Sequence, residues 1–95
     1  MFPDTITIKI TQDDIENGKH CDCYSCPITK ALQREFPEAY HTSTSYSRMR
    51  IEQRGPEGVQ TATYDTPQEA VEFMDAFDHH KPVKPIAFTA ERATA

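Results

Sequence analysis

Two alternating segments joined by a tight turn limit the folds that are open to this chain of 95 residues. In residues 47–52, Met49 and Ile51 fall on one side of an extended chain and the charged residues fall on the other. Residues 59–64 are rich in β-branched side chains. The intervening Arg54-Gly55-Pro56-Glu57-Gly58 is a cluster of turn-forming residues. The pattern predicts a β-hairpin, and it favours an antiparallel sheet because parallel neighbours need a long crossover connection.

Further strands are predicted on both sides of this hairpin. Residues 5–11 give the clearest one, because three isoleucines alternate there with polar residues. Thr11 and Asp14 then have capping-box spacing, which predicts one helical turn that ends at Gly18. Weaker strands are predicted at residues 39–43 and at residues 86–89, and the prolines before the latter restrict it to a sheet edge.

Two longer helices begin at prolines. The first covers residues 27–36 and places Cys26 at its N-cap, because proline is favoured at the first helical position. The second begins at Thr66-Pro67-Gln68-Glu69, which has the spacing of a capping box, and ends near Asp78. Each helix carries one apolar stripe for a core. The stripes are Ile28, Ala31, Leu32 and Phe36 in the first helix, and Ala70, Val71, Phe73, Met74 and Phe77 in the second.

The resulting order is β-α-β-β-β-α, and it allows a final short β. The predicted fold class is α+β, with an antiparallel sheet of three to five strands and two helices packed on one face. The length predicts a single domain over residues 1–90. Residues 91–95 are predicted to be a frayed C-terminal tail.

Charge and hydropathy narrow the set of partners. Fifteen acidic against ten basic residues give a net charge of −5, which disfavours general binding to nucleic acid. No apolar run is long enough to span a membrane, and the first residues do not have the pattern of a secretory signal. Three cysteines, an odd number, favour reduced thiols over a disulfide framework. We therefore expect a cytoplasmic protein with no membrane partner.

The cysteines lie within six residues and predict a candidate metal site. Their spacing is C-x-C-x-x-C, and a C-x-x-C pair is a familiar half of a structural zinc site. No second cysteine pair exists in the sequence, so a distant histidine would have to complete the tetrahedron. The hypothetical zinc ligands are Cys21, Cys23, Cys26 and His41.

Two other interpretations of the same cysteines stay open. A thiol at a helix N-terminus lies in the positive field of the helix, so Cys23 and Cys26 could form a redox-active dithiol. A catalytic thiol also needs a base, and no histidine has a spacing that marks it as one, so we predict no catalytic residue and no enzyme. The structural interpretation makes Cys26 a buried N-capping residue beside two exposed loop thiols.

Two further surfaces carry charge. A hypothetical nucleic-acid face consists of Tyr46, Arg48, Arg50, Lys30 and Arg34, although a solvated sheet face with charges of both signs explains the same pattern. A hypothetical protein-binding face is the acidic side of the second long helix, formed by Glu69, Glu72, Asp75 and Asp78. Such a row also simply keeps a helix soluble.

A family resemblance rests on three stretches that follow the opening strand. They are Asp14-Ile15-Glu16-Asn17-Gly18, Cys26-Pro27-Ile28-Thr29-Lys30-Ala31-Leu32, and Phe77-Asp78-His79-His80-Lys81-Pro82-Val83-Lys84-Pro85-Ile86-Ala87-Phe88. Together they resemble small proteins encoded by bacteriophages and prophages, often of actinobacteria. Those proteins look like a strand, D-I-x-x-G, a C-P-I/V-A-x-A-L helix, a sheet, and a last helix that runs into F-D-x-G-x-x-V-x-P-x-x-F. Cys26 matches the cysteine of that pattern, whereas Cys21 and Cys23 do not map onto it.

The resemblance implies a protein made in the cytoplasm of an infected bacterial cell. Small phage proteins of this size commonly act by binding host proteins. The expected function is therefore a non-enzymatic protein-interaction module with a host-cell protein as partner. A zinc-stabilised nucleic-acid-binding module and a thiol redox protein are the alternatives, and the sequence leaves the oligomeric state open.

Overall fold

The computed structural model describes residues 2–93, which form three helices and five strands. The fold is α+β with antiparallel strand pairing, as the hairpin pattern predicts. The one-turn helix after the first strand and the final strand are both present. In chain order the elements are β1 (Thr5–Lys9), α1 (Gln12–Asn17), α2 (Pro27–Glu35), β2 (His41–Thr44), β3 (Arg48–Gly55), β4 (Gly58–Asp65), α3 (Gln68–Asp78) and β5 (Ala87–Glu91).

The strands are divided between two sheets. Strands β1 and β5 pair along their whole length, and β2, β3 and β4 form a three-stranded sheet in that order. A single bridge from Tyr64 of β4 to Arg92 connects the two sheets. The residues that make this connection directly follow β5. The buried Tyr64 hydroxyl reinforces this junction by donating a hydrogen bond to the carbonyl of Pro3.

The predicted hairpin is confirmed as β3 and β4. Their register pairs Gly55 with Gly58 across a two-residue turn, and Gly58 has a φ of 115°, a conformation that only glycine adopts readily. Side chains on one face of the hairpin, such as Met49 and Ile51, are fully buried, and those on the other face are exposed. The three-stranded sheet thus has a core face and an outer face.

A single core fills the space between the sheets and the helices. The predicted apolar stripes of α2 and α3 supply much of it, although Phe36 and Val71 are only half-buried. No helix within residues 2–93 is both long enough and apolar enough to cross a lipid bilayer. The buried apolar residues are Phe2, Ile6, Ile8, Ile10, Cys26, Ile28, Ala31, Leu32, Met49, Ile51, Ala62, Tyr64, Ala70, Phe73, Met74, Phe77, Phe88 and Ala90.

Two local predictions differ from the structure. The N-cap of α3 is Pro67, without a side-chain capping bond, because the Thr66 hydroxyl donates instead to the carbonyl of Ser45. The chain is also ordered beyond the point where fraying was expected. Glu91 is the last residue of β5, and the backbone amides of Arg92 and Ala93 donate to the carbonyls of Asp4 and Thr63. Residues 94 and 95 lie outside the described residues.

A forked ion pair fastens α1 to α2. The Arg34 guanidinium donates to both carboxylate oxygens of Asp14, at 2.7 and 2.9 Å, and Asp14 also completes the predicted capping box with Thr11. Burial of the Asp14 carboxyl raises its pKa, but the hydrogen bonds from Arg34 and Thr11 outweigh this, so the pKa lies below its ordinary value of 3.8. Arg34 was predicted to lie free on a nucleic-acid face, whereas its fork is occupied within the fold.

We expect Arg34→Gln to lower the free energy of unfolding by about 1–2 kcal/mol at neutral pH, because it leaves the buried Asp14 carboxylate without its cation. The stabilisation conferred by a carboxyl with a depressed pKa is present above its ordinary value and is lost as pH falls through the folded-state value. The difference between variant and wild type should therefore shrink below about pH 4.

Urea denaturation followed by circular dichroism measures both effects. Arg48→Gln is the matched control, because Arg48 and Asp65 form an exposed pair at 3.4 Å that we expect to contribute about 1 kcal/mol or less. Two results would contradict this explanation. One is an equal decrease in the free energy of unfolding in the two variants, and the other is a decrease in Arg34→Gln that does not change with pH.

Candidate functional site

A cavity of about 270 Å³ brings together all three cysteines, and we refer to it as the cysteine pocket. Its wall comes from four separate parts of the chain: the loop before α2, the start of α2, the turn after β2, and the last turns of α3. The lining residues are Cys21, Asp22, Cys23, Cys26, Thr44, Ser45, Tyr46, Met74 and Asp78.

The cysteine-bearing loop is held in shape by its own backbone. The amide of Lys19 donates to the carbonyl of Ser25 at 2.9 Å and closes the loop at its base. The Asp22 carboxylate accepts the amide of Tyr24, which is the bond of an Asx turn. Cys21 adopts a left-handed φ of 55° that reverses the chain direction. The amide of Thr44 donates to the carbonyl of Cys23, so the loop covers the outer edge of β2.

A buried polar network lies under the pocket. Cys26 is the N-cap of α2, as predicted, and its sulfur accepts the amide of Thr29 at 3.5 Å. The Thr29 hydroxyl is fully buried; it donates to the carbonyl of Cys23 at 2.7 Å and is hydrogen-bonded with the hydroxyl of Thr44 at 2.9 Å. One side chain thereby connects the cysteine loop, the N-terminus of α2 and strand β2.

The Asp78 carboxylate is the main charged group of the pocket. One oxygen accepts the amide of Cys21 at 2.9 Å, and the other accepts the Tyr46 hydroxyl at 3.1 Å. Partial desolvation, followed by the hydrogen bond to Asp78, raises the pKa of Tyr46 above its ordinary value. Tyr46 is therefore a protonated hydrogen-bond donor at neutral pH, and Asp78 remains the acceptor.

Helix α3 ends in a Schellman motif that turns the chain beside the pocket. The amide of Lys81 donates to Ala76 and that of His80 donates to Phe77, with His80 in the left-handed conformation at φ 59°. Glycine is the usual residue at that position. The ring of His20 lies between Phe77 and His80, with centroid distances of 4.2 and 4.1 Å, and attaches the cysteine loop to the end of α3.

The charge at this end of α3 opposes the helix dipole. A helix C-terminus carries partial negative charge and is normally matched by basic side chains. The last turn of α3 contains no basic residue but holds Asp75 and Asp78. A carboxylate at a helix C-terminus typically costs about 0.3–1 kcal/mol of helix stability when it is exposed. Asp75 has the ring nitrogen of His79 at 3.3 Å, so Asp78 is the carboxylate that this turn brings to the pocket.

The predicted zinc ligands are not assembled among the described residues. Cys21, Cys23 and Cys26 line one pocket, but His41 lies on the outer face of the sheet with its ring 5.2 Å from that of Tyr24. Within residues 2–93, no three Cys, His, Asp or Glu side chains are grouped as a metal ion would require. The cysteines are free thiols; Cys21 and Cys23 are exposed and Cys26 is buried.

The five residues predicted as a nucleic-acid face do not form one surface. Arg48 and Arg50 lie on the outer face of β3, where they contact Asp65 and Glu52. Tyr46 instead lines the cysteine pocket. Lys30 and Arg34 belong to α2, and Arg34 is bound to Asp14.

The predicted acidic face, by contrast, leads into the pocket. Glu69, Glu72 and Asp75 are exposed on α3, and Asp78 at its end is a pocket residue. The sequence analysis did not identify Thr44, Ser45 and Met74 as parts of this site. They carry no local signal, because only the tertiary fold brings the end of β2 and the middle of α3 to the cysteine loop.

Comparison of the chain with protein-family models, with curated protein sequences and with solved structures finds no match.

Burial predicts two classes of thiol in the pocket. Cys21 and Cys23 should react promptly with an aromatic disulfide reagent, and Cys26, which is 4 % exposed, should react about tenfold or more slowly because its reaction needs local opening. Thr29→Val should accelerate the reaction of the Cys26 thiol and lower the free energy of unfolding by about 1–3 kcal/mol, because it leaves the buried Thr44 hydroxyl without its hydrogen-bond partner.

Absorbance of the released thiolate follows this reaction. Thr7→Val is the matched control, since its hydroxyl is exposed and makes only a 3.4 Å contact with Thr89. Three equally fast thiols in the wild type would show that the loop does not protect Cys26.

The contact between the rings of His20 and His80 should offset part of the backbone strain of the left-handed His80. In a His20→Ala background, the further change His80→Gly should raise the free energy of unfolding by about 0.5–1 kcal/mol, because glycine adopts the left-handed conformation without steric cost. When His20 is present, His80→Gly should raise the free energy of unfolding by less, because it also removes the contact between the two rings. A double-mutant cycle in urea measures the difference, and equal effects in both backgrounds would mean that the two rings do not interact.

Proposed function

We propose that this domain is a non-enzymatic protein-interaction module that binds a basic segment of a partner protein at the cysteine pocket. The observation that carries the proposal is the position of Asp78. Its carboxylate lies in the wall of the pocket at the negative end of α3, with Asp75 one turn before it and no lysine or arginine in that turn. A cation bound there gains from the Asp78 carboxylate and from the helix dipole.

The size of the pocket suits one side chain rather than a larger ligand. Cavities for drug-sized molecules hold about 300–1,000 Å³, and this one holds about 270 Å³. Met74 and the cysteines offer an apolar wall for the methylene stem of a lysine or arginine. Asp78 then accepts the charged end of that side chain, while the hydroxyls of Ser45 and Tyr46 offer further polar contacts.

The rest of the acidic face supports recognition of a longer basic segment. Glu69 and Glu72 are exposed on α3 and extend the negative potential away from the pocket. Such a field accelerates encounter with a positively charged partner and disfavours acidic ones. The resemblance to phage-encoded proteins supports a host-cell protein as this partner and the cytoplasm of an infected bacterium as the place of binding.

An array of randomised peptides probed with the labelled protein tests the proposal. Peptides that contain lysine or arginine should be enriched, and their affinity should fall as ionic strength rises. Asp78→Asn should weaken the best peptide at least about tenfold, because it removes the charge while the amide oxygen can still accept the bond from Cys21. Fluorescence anisotropy with the selected peptide gives the dissociation constants.

Glu57→Gln is the matched control for charge. Glu57 is exposed in the β3–β4 turn, roughly 25 Å along the hairpin from Tyr46 at the strand rise of about 3.3 Å per residue, so its loss should change affinity less than about twofold. Selection of neutral or acidic peptides, or unchanged binding by Asp78→Asn, would refute the proposed site.

A further inference from the structure

The outer face of the three-stranded sheet carries a row of neighbouring rings that are tilted against one another. Successive side chains of a strand point to opposite faces, and Thr42 is buried, so His41 faces outward. Its ring is 5.2 Å from that of Tyr24 and 6.5 Å from that of Tyr40. The guanidinium of Arg54 lies 4.9 Å above the ring of Tyr40 and completes the row. We refer to Tyr24, His41, Tyr40 and Arg54 as the ring row.

The rings are held in place but remain open to solvent. Tyr24 and Tyr40 are 57 % and 51 % exposed, although tyrosine is usually better buried than this. The hydroxyl of Tyr40 donates to Glu52 at 3.3 Å, and the Asx turn at Asp22 fixes the backbone of Tyr24. The row is therefore an aromatic surface that is open to solvent and whose members contact one another.

Cations accompany the ring row on the same face. Arg48, Arg50 and Arg54 alternate along β3 with the buried Met49 and Ile51, so all three arginines point outward. Arg48 meets Asp65 at 3.4 Å in an exposed pair, which is weak enough to exchange for other anions, and Arg50 meets the half-buried Glu52 at 3.5 Å. Arginines predominate here even though the whole chain has a net charge of −5.

We propose that the ring row and its arginines bind single-stranded nucleic acid. Bases stack on exposed tyrosine and histidine rings without regard to sequence, and arginines beside the rings contact the phosphates between the bases. A paired duplex hides its base faces, so this surface suits unpaired strands. The ring row is a different surface from the peptide site, since Cys23 and Thr44 line that pocket on the other side of β2.

Fluorescence anisotropy with labelled oligouridine and oligothymidine tests this proposal and distinguishes RNA from DNA as the ligand. Both strands should bind at low salt, and a hairpin duplex of the same length should bind at least about fivefold more weakly. Binding should fall with salt at a logarithmic slope of roughly −2, as three phosphate contacts predict for single strands. Tyrosine emission should also change, since the chain contains no tryptophan to mask it.

Tyr40→Leu should weaken binding at least about fivefold, and Arg50→Gln should reduce the salt slope by about 0.7. The matched control is Lys84→Gln, an exposed cation after α3. This variant should bind as the wild type does.

Three results would overturn the proposal: no binding to either strand at low salt, equal affinity for duplex, or equal losses of affinity from Arg50→Gln and Lys84→Gln. If neither strand binds and Tyr40→Leu instead abolishes capture of a protein, the ring row is a protein interface. Circular dichroism of each variant verifies that the fold is intact.

Discussion

The buried hydroxyl of Thr29 is the interaction on which the candidate site depends. It joins the carbonyl of Cys23 to the hydroxyl of Thr44, beside the sulfur that caps α2. The desolvation penalty of a buried polar group without a partner exceeds the net stabilisation from a typical hydrogen bond. These groups therefore stabilise the fold only when all of them are hydrogen-bonded. Because the set spans the cysteine loop, a helix start and a sheet edge, the geometry of the pocket is fixed by the same contacts that hold the core together.

Much of the fold could be predicted because its signals are local. Period-two alternation at β1 and β3, the Gly-Pro-Glu-Gly turn, and the cysteine-proline start of α2 each act within a few residues. Two predictions were wrong because residues distant in the sequence form the contacts. Thr66 does not cap α3, because its hydroxyl donates to the carbonyl of Ser45. The chain after Glu91 is not frayed, because the next two amides donate to the carbonyls of Asp4 and Thr63. The left-handed His80 occupies the position after a helix end where glycine is the usual residue.

The site could be predicted only in part. The cysteines stood out by number and spacing, and the acidic face stood out by its helical period, but no pattern placed Asp78 beside Cys21, since 57 residues separate them in the chain. Tyr46 and Arg48 appeared to share a strand face. The turn before β3 directs the tyrosine into the pocket and leaves the arginine on the outer face. The residue at which a strand begins determines the face of the sheet to which each side chain points. Strand boundaries depend on tertiary contacts and are hard to predict from the local sequence.

The cysteine loop contacts both sides of the three-stranded sheet through adjacent residues. Cys23 lines the pocket, and the ring of Tyr24 lies 5.2 Å from that of His41 on the outer face. The carbonyl between them accepts the amide of Thr44. Any shift of the loop that alters one side must alter the other. The two surfaces are thus linked thermodynamically, and linkage is reciprocal: a ligand that orders the loop from one side changes the affinity of the opposite side by the same factor that it experiences in return.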